Sequence, residues 1–190
     1  SRRRHSYITN IFKYGKRGIH FQILAGSGDE VNQRLEQNLA DIGIMREPFD
    51  METYDREFLK SEPWLAVMGK ETPLARETGK TVPLSRLGGE DLIIPARLPI
   101  QEEINSWFND AAQERNIFCV YNSPAAIIPL VESGAAVAIC PESVKSFAGG
   151  RRLVFKPIVE PRKDSRLYLV KKRRQMMPLA AQLFWEFARN

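Results

Sequence analysis

Cysteine and histidine are scarce in this chain of 190 residues, which holds two of each: Cys119, Cys140, His5 and His20. So few thiols exclude a disulfide-stapled scaffold, and so few imidazoles leave little for a metal centre or for histidine catalysis. Neither cysteine belongs to a CxxC pair. Both sit in apolar segments, the setting of inert buried thiols, and they form a redox pair only if their strands are neighbours. No apolar run approaches the ~18 residues of a membrane span. Ser1-Arg2-Arg3-Arg4-His5 lacks the apolar core of a secretory signal. GxSxG, HExxH and P-loop patterns are missing, so no nucleophile elbow, zincin helix or phosphate cradle is written into the chain. Internal repeats and low-complexity tracts are missing too.

What is present is ordinary globular composition, 43% hydrophobic and 27% charged, enough for one sizeable core or two small lobes. The net charge of +5 gathers in Arg2-Arg3-Arg4, Lys16-Arg17, Arg151-Arg152 and Lys171-Lys172-Arg173-Arg174. No helix-turn-helix, zinc-finger or RNA-recognition pattern accompanies these clusters, which then read as solvated rim or as a nucleic-acid patch.

Periodicity divides the chain into alternating elements. Ile19 to Leu24 alternates apolar and polar, which predicts a strand. Gly26-Ser27-Gly28 turns the chain, and Val31, Leu35 and Leu39 then recur every four residues, which predicts a helix from Asp29. Asn38 is suited to a left-handed helix end. Asp41 to Met45 reads as a buried strand, so strand, helix and strand form a βαβ unit. Glu57–Ser61 and Trp64–Met68 read as two strands separated by Glu62-Pro63. A polar stretch from Gly69 to Leu87 follows, then a strand at Asp91–Ile94. Ile104, Trp107, Phe108, Ala111 and Ala112 predict an amphipathic helix over 100–115. Ile117–Tyr121 is strand-like, and Asn122-Ser123-Pro124 opens a helix that Pro129 kinks or shortens and Gly134 ends. Ala136–Cys140, Leu153–Phe155 and Arg166–Val170 are further strands, with a short helix at Glu142–Phe147 and a polar link from Pro157 to Asp164. Pro178 opens a last helix with Leu179, Leu183, Phe184 and Phe187 facing inward. The alternation argues for α/β architecture with mainly parallel strands. Two open links, near Gly69–Pro73 and near Pro157–Pro161, suggest two lobes: 1–69 with 158–190, and 70–157.

In order and spacing, several segments carry a family resemblance over about residues 12 to 190. They are Ile19-His20-Phe21-Gln22 with Gly26-Ser27-Gly28; Leu39-Ala40-Asp41-Ile42-Gly43-Ile44; Trp64-Leu65-Ala66-Val67 leading to Thr72-Pro73-Leu74-Ala75; Asp91-Leu92-Ile93-Ile94; Val131 through Pro141; and Leu167-Tyr168-Leu169-Val170 before the Pro178 helix. The chain resembles the effector-binding domain of LysR-type transcriptional regulators. The resemblance implies two Rossmann-like subdomains of the type 2 periplasmic-binding-protein kind, joined by two crossover segments, with the family's first strand not recognisable. It implies a small, anionic metabolite bound in an interlobe cleft, a homodimer, a cytoplasmic location, and DNA contacted only through an N-terminal helix-turn-helix domain that this chain lacks. It implies no enzymatic activity, no cofactor, no metal and no membrane. Asn38 stands where the family favours Gly, and Met177 where a polar helix cap is usual.

Candidate ligand residues fall at strand-to-helix corners, where free amides and a positive helix end favour anions. At the first corner Ser27, Gly28 and Asp29 are either ligand contacts or helix caps. Ala96, Arg97 and Leu98 follow the strand ending at Ile94, and Arg97 offers a bidentate fork for a carboxylate or phosphate. Asn122 and Ser123 form a mirror corner. Arg46 leaves the strand that ends at Met45. No catalytic set is visible: His20 reads as a surface histidine, and Glu102-Glu103 as the solvent face of a helix. The alternatives are a solute-binding protein of the periplasmic type and an enzyme on the same scaffold.

Overall fold

The computed structural model describes residues 20–110 and 115–189 of the chain. The elements run α1 (Gly28–Glu36), β1 (Gly43–Arg46), β2 (Tyr54–Gly69), α2 (Pro73–Arg76), β3 (Val82–Pro83), β4 (Asp91–Pro95), α3 (Leu98–Asp110), β5 (Asn116–Tyr121), α4 (Pro124–Glu132), β6 (Val137–Pro141), β7 (Leu153–Val159), β8 (Asp164–Lys172) and α5 (Leu179–Arg189), with 3-10 turns at Leu84–Leu87 and Glu142–Phe147. They build two compact units. One takes the described residues up to Ile44, Asp50–Glu57 and those from Leu169; the other takes Met45–Phe49 and Phe58–Tyr168. These bounds differ from the expected 1–69 with 158–190 and 70–157, because Leu65–Gly69 and Leu153–Pro157 pair with each other inside the second unit. A polar, proline-bearing link marks a loop, and a loop need not be a boundary.

In the first unit, Ser27 caps α1 through a capping box: its hydroxyl accepts from Glu30 N–H, and the Glu30 carboxylate accepts from Ser27 N–H. Asn38 has φ 55°, which terminates the helix at Glu36. Leu39 therefore leaves the predicted helical stripe and is 65% exposed. Gly43 lets β1 lie close under α1, since a Cβ there would sit 2.8 Å from Val31 Cγ1 and 3.0 Å from Leu35 Cδ1. No strand forms over His20–Leu24, and Ile19 lies outside the described residues. Alternation alone does not make a strand; that also needs a regular ladder of backbone hydrogen bonds. Instead Phe21 meets Phe184 of α5 edge to face at 5.7 Å. The inner face of α5 is built on Trp185, 4% exposed, with the Lys171 ammonium 5.3 Å from its ring centre. Leu179, Leu183 and Phe187, expected inside, are 70%, 39% and 42% exposed.

In the second unit β6 and β5 flank β4, both parallel to it, while β2 runs antiparallel to β6 and to β7, and β3 runs parallel to β7. The sheet is thus mixed, not mainly parallel. Parallel neighbours need a crossover, and α3 and α4 supply the two that serve β4, β5 and β6. β4, β6 and the Trp64–Met68 part of β2 are buried on both faces. Trp64, Ala66, Met68, Leu92, Ile94, Val137 and Ile139 pack under Ile100, Ile104, Trp107 and Phe108 of α3. Leu65, Val67, Ile93, Ala138 and Cys140 pack against Ile127 and Val131 of α4. This explains why the two-residue period was masked here by continuous apolar runs.

The two strands expected around Glu62-Pro63 are one. Trp64 N–H donates to Lys163 O at 2.9 Å, so the missing N–H of Pro63 falls on the opposite side of β2, where pairing with β6 begins only at Trp64. Similarly, β7 and β8 run on past their expected ends and shorten the link to 160–163. Arg115 is not helical, while Ala111 and Ala112 lie outside the described residues. Pro129 stands inside α4, which nevertheless continues to Glu132.

Candidate functional site

The loops after β4 and β5 leave the sheet side by side and then part. Pro95 pairs with Tyr121, and Ala96 N–H donates to Tyr121 O at 2.8 Å. The chain after β4 turns to α3 on one face, and the chain after β5 turns to α4 on the other. Adjacent parallel strands whose following helices diverge leave a crevice at their carboxyl ends, the place where open α/β sheets take ligands. Ala96-Arg97-Leu98 and Asn122-Ser123 follow directly on these two strand ends. Leu98, 69% exposed, opens α3, and Asn122 and Ser123 are exposed. Ser123 is the N-cap of α4, yet its hydroxyl makes no capping bond, unlike that of Ser27.

Arg97 and Arg46 meet here. Arg97 Nη1 donates to the carbonyl of Arg46 at 2.7 Å. The Arg46 fork is itself taken, with Nη1 on Ser165 Oγ at 2.6 Å and Nη2 on Glu62 Oε1 at 2.6 Å. Glu62 is 3% exposed and also accepts from Lys60 Nζ at 3.0 Å, Ser143 N–H at 3.0 Å and Ser143 Oγ at 3.2 Å. Burial alone pushes the Glu62 carboxyl up. The Arg46 charge, with hydrogen bonds from Lys60 and Arg46, outweighs this and holds it below the usual carboxylate range. Trp64, one residue after Pro63, pairs with Pro141 at the end of β6. Glu62 and Ser143 therefore stand at the same carboxyl edge as Arg97 and Ser123.

Glu62, Ser143, Ser165 and Lys60 escaped the sequence reading. Glu62-Pro63 read as a break between strands, and only the fold shows that its carboxylate is buried. The available signal was a carboxylate standing immediately before the apolar run from Pro63 to Met68.

The first corner is different. Ser27, Gly28 and Asp29 belong to the first unit, and there the positive end of α1 already holds a carboxylate of its own chain, Glu30. The backbone and hydroxyl of Ser27 hold that carboxyl below its ordinary range. A hollow of about 970 Å³ also lies in the first unit, lined by Tyr54, Lys171, Gln175, Met176, Trp185 and Arg189 among others. None of the candidate residues lines it. Among its lining residues Lys171 pairs with Asp55 at 2.6 Å and Arg189 with Glu57 at 3.0 Å.

The cysteines are on strands that flank β4 and do not adjoin, and both are free. Burial pushes the Cys140 thiol up to about 12. Among the described residues no group of three or more His, Cys, Asp or Glu side chains is placed to hold a metal, and no helix is long and apolar enough to cross a membrane.

Residues 11–190 match the family described as LysR substrate binding domain. The chain belongs to that family. It is 27% identical over 165 residues to the "Uncharacterized HTH-type transcriptional regulator YfeR" of Shigella flexneri, covering 84% of this chain and 51% of the relative. The chain thus spans about half the length of the curated relatives it matches. Its fold is similar to the effector-binding domain of QuiR solved in complex with shikimate, with a TM-score of 0.84 at 19% identity over 98% of this chain and 88% of that one. The Synechocystis PCC6803 CcmR regulatory domain, solved with 2-PG, gives 0.78 at 17% identity over 97% and 88%. These likenesses establish for this LysR substrate-binding domain the mixed α/β fold of the type 2 periplasmic-binding-protein kind.

Proposed function

We propose that this LysR substrate-binding domain senses a small anionic effector in the crevice at the ends of β4 and β5. The observation that carries it is the divergence of α3 and α4 there, with Arg97 after β4 and the uncapped hydroxyl of Ser123 after the adjacent β5. Arg97 supplies the charge, Asn122 and Ser123 supply polar contacts, and Ala96 and Leu98 form the wall. Arg46 holds Arg97 through its carbonyl. The QuiR domain solved with shikimate and the CcmR domain solved with 2-PG support a small-molecule ligand. Ser27, Gly28 and Asp29 contribute to α1 capping.

Binding to the folded state raises apparent stability, so a thermal-shift screen of small carboxylates, shikimate included, is the direct test. Replacing Arg97 with Ala removes a charge-assisted contact and should weaken a hit about 10- to 100-fold by calorimetry. Unchanged affinity would refute the assignment.

The domain works as a sensor and not as an enzyme, in a cytoplasmic regulator whose DNA-binding part is a helix-turn-helix carried elsewhere in the full-length protein. A periplasmic-type solute-binding protein shares the fold but needs no such partner; co-purification with operator DNA in the full-length protein separates the two. The domain acts as a homodimer. The edge strand β5 supports this, because Phe118 and Val120 point outward at 51% and 49% exposure while β4 is its one sheet neighbour among the described residues. Phe118→Asp should raise the dimer dissociation constant at least about tenfold, since it places a charge in an apolar contact. Light scattering checks this, and an unaltered dimer would place the contact elsewhere.

A further inference from the structure

We infer that Tyr121 is a positioning residue of the anion site, tying the Asn122-Ser123 corner to the ends of β4 and β6. The inference rests on the site proposed above. β4 and β6 pair through Leu92 with Val137 and Ile93 with Ala138, and among the described residues their ladder goes no further. Pro95, having no N–H, cannot donate to extend it. Instead the Tyr121 hydroxyl donates to the Ile139 carbonyl at 3.1 Å. The strand order is β6, β4, β5, so this side chain passes across β4 to reach β6. It is 7% exposed and packs in one cluster with Ile93, Ala138 and Cys140 of the strands and Ile127 and Val131 of α4. Its backbone is held as well: its carbonyl accepts from Ala96 N–H at 2.8 Å, and it pairs with Pro95. One residue thus joins three strand ends, and the next two in the chain are Asn122 and Ser123. Letting go of Ile139 would strand a buried hydroxyl, which keeps the ring in one place. A corner held this way offers the uncapped Ser123 hydroxyl in a fixed direction, so little ordering is left for the ligand to impose.

Benzoate serves as the probe, with affinity measured by calorimetry on this chain at neutral pH. Tyr121→Phe keeps the ring and removes the hydroxyl. It should weaken benzoate about 5- to 10-fold, the worth of one hydrogen bond. It should also speed hydrogen exchange at the Ala96 amide by at least about fivefold more than in the β2–β7 ladder, whereas a role in general stability would speed both alike. In a Ser123→Ala background the same change should cost less than about twofold, because the corner no longer carries the hydroxyl that Tyr121 positions. An unchanged affinity, an equal loss in both backgrounds, or equal acceleration at Ala96 and in the ladder would overturn the role of Tyr121 and leave the anion site standing. Where Tyr121→Phe does not fold, exchange in the wild-type chain decides: protection of the Ala96 amide to within about tenfold of the β2–β7 ladder supports the tie, and weaker protection overturns it. Arg97→Gln tests the site separately and should weaken benzoate about tenfold or more. No weakening there, or no binding of benzoate by the wild-type chain at millimolar concentration, would overturn the site itself and this role with it.

Discussion

Replacing Glu62 with Ala is expected to lower folding stability by about 3 kcal/mol at neutral pH, because removal of one partner from a buried ion pair strands the other charge. The stranded group is Arg46, whose side chain is 17% exposed and so recovers some hydration, which places the loss at the low end of the range for such pairs. Ser143 N–H and Oγ lose their acceptor as well. Urea unfolding at pH 7 would show the loss as a lower midpoint with an unchanged slope. The same pair makes a pH prediction. The folded-state carboxyl lies below its ordinary value of 4.5, so its contribution is complete above that value and disappears as pH falls through the depressed one. The gap between wild type and Glu62→Ala should therefore be widest near neutrality and narrow on acidification below pH 4.5. A gap that stays constant down to acid unfolding would mean that Glu62 contributes shape and not charge.

Phe108→Ala is expected to cost about 3–5 kcal/mol, the usual range for emptying an aromatic site in a close-packed core. Phe108 is 0% exposed and belongs to the cluster that joins α3 to β4 and β6. Stabilities of single domains are about 5–15 kcal/mol in all, so this one truncation should remove a large share and displace α3, whose first residue follows Arg97. Ligand affinity should fall together with stability, and Phe108→Leu should restore most of both. A variant that unfolds at the wild-type midpoint would show that the second unit does not depend on the α3 contact.

Helices were legible where one face is polar. The capping box at Ser27 and Glu30, the left-handed Asn38 and the Pro124 helix start all follow from local chemistry: a side chain and backbone within a few residues of each other. The 100–110 helix follows from its spacing. Segments misread were those whose fate depends on partners far along the chain. His20–Leu24 alternates like a strand but finds no ladder among the described residues; Pro63 looks like a break but sits where no donor is required. Leu179, Leu183 and Phe187 have the period of a buried face, while Trp185 takes the inside position.

The same distinction holds for the site. Residue types and their order determined the family and the α/β class, because turn chemistry, capping and periodicity are local. Only the tertiary structure brought Arg46, Glu62, Ser143 and Ser165 to one point, across separations of 16 to 119 residues. Whether a charge is buried, and which opposite charge it meets, depends on strand order and register, and these arise from packing that no local spacing records.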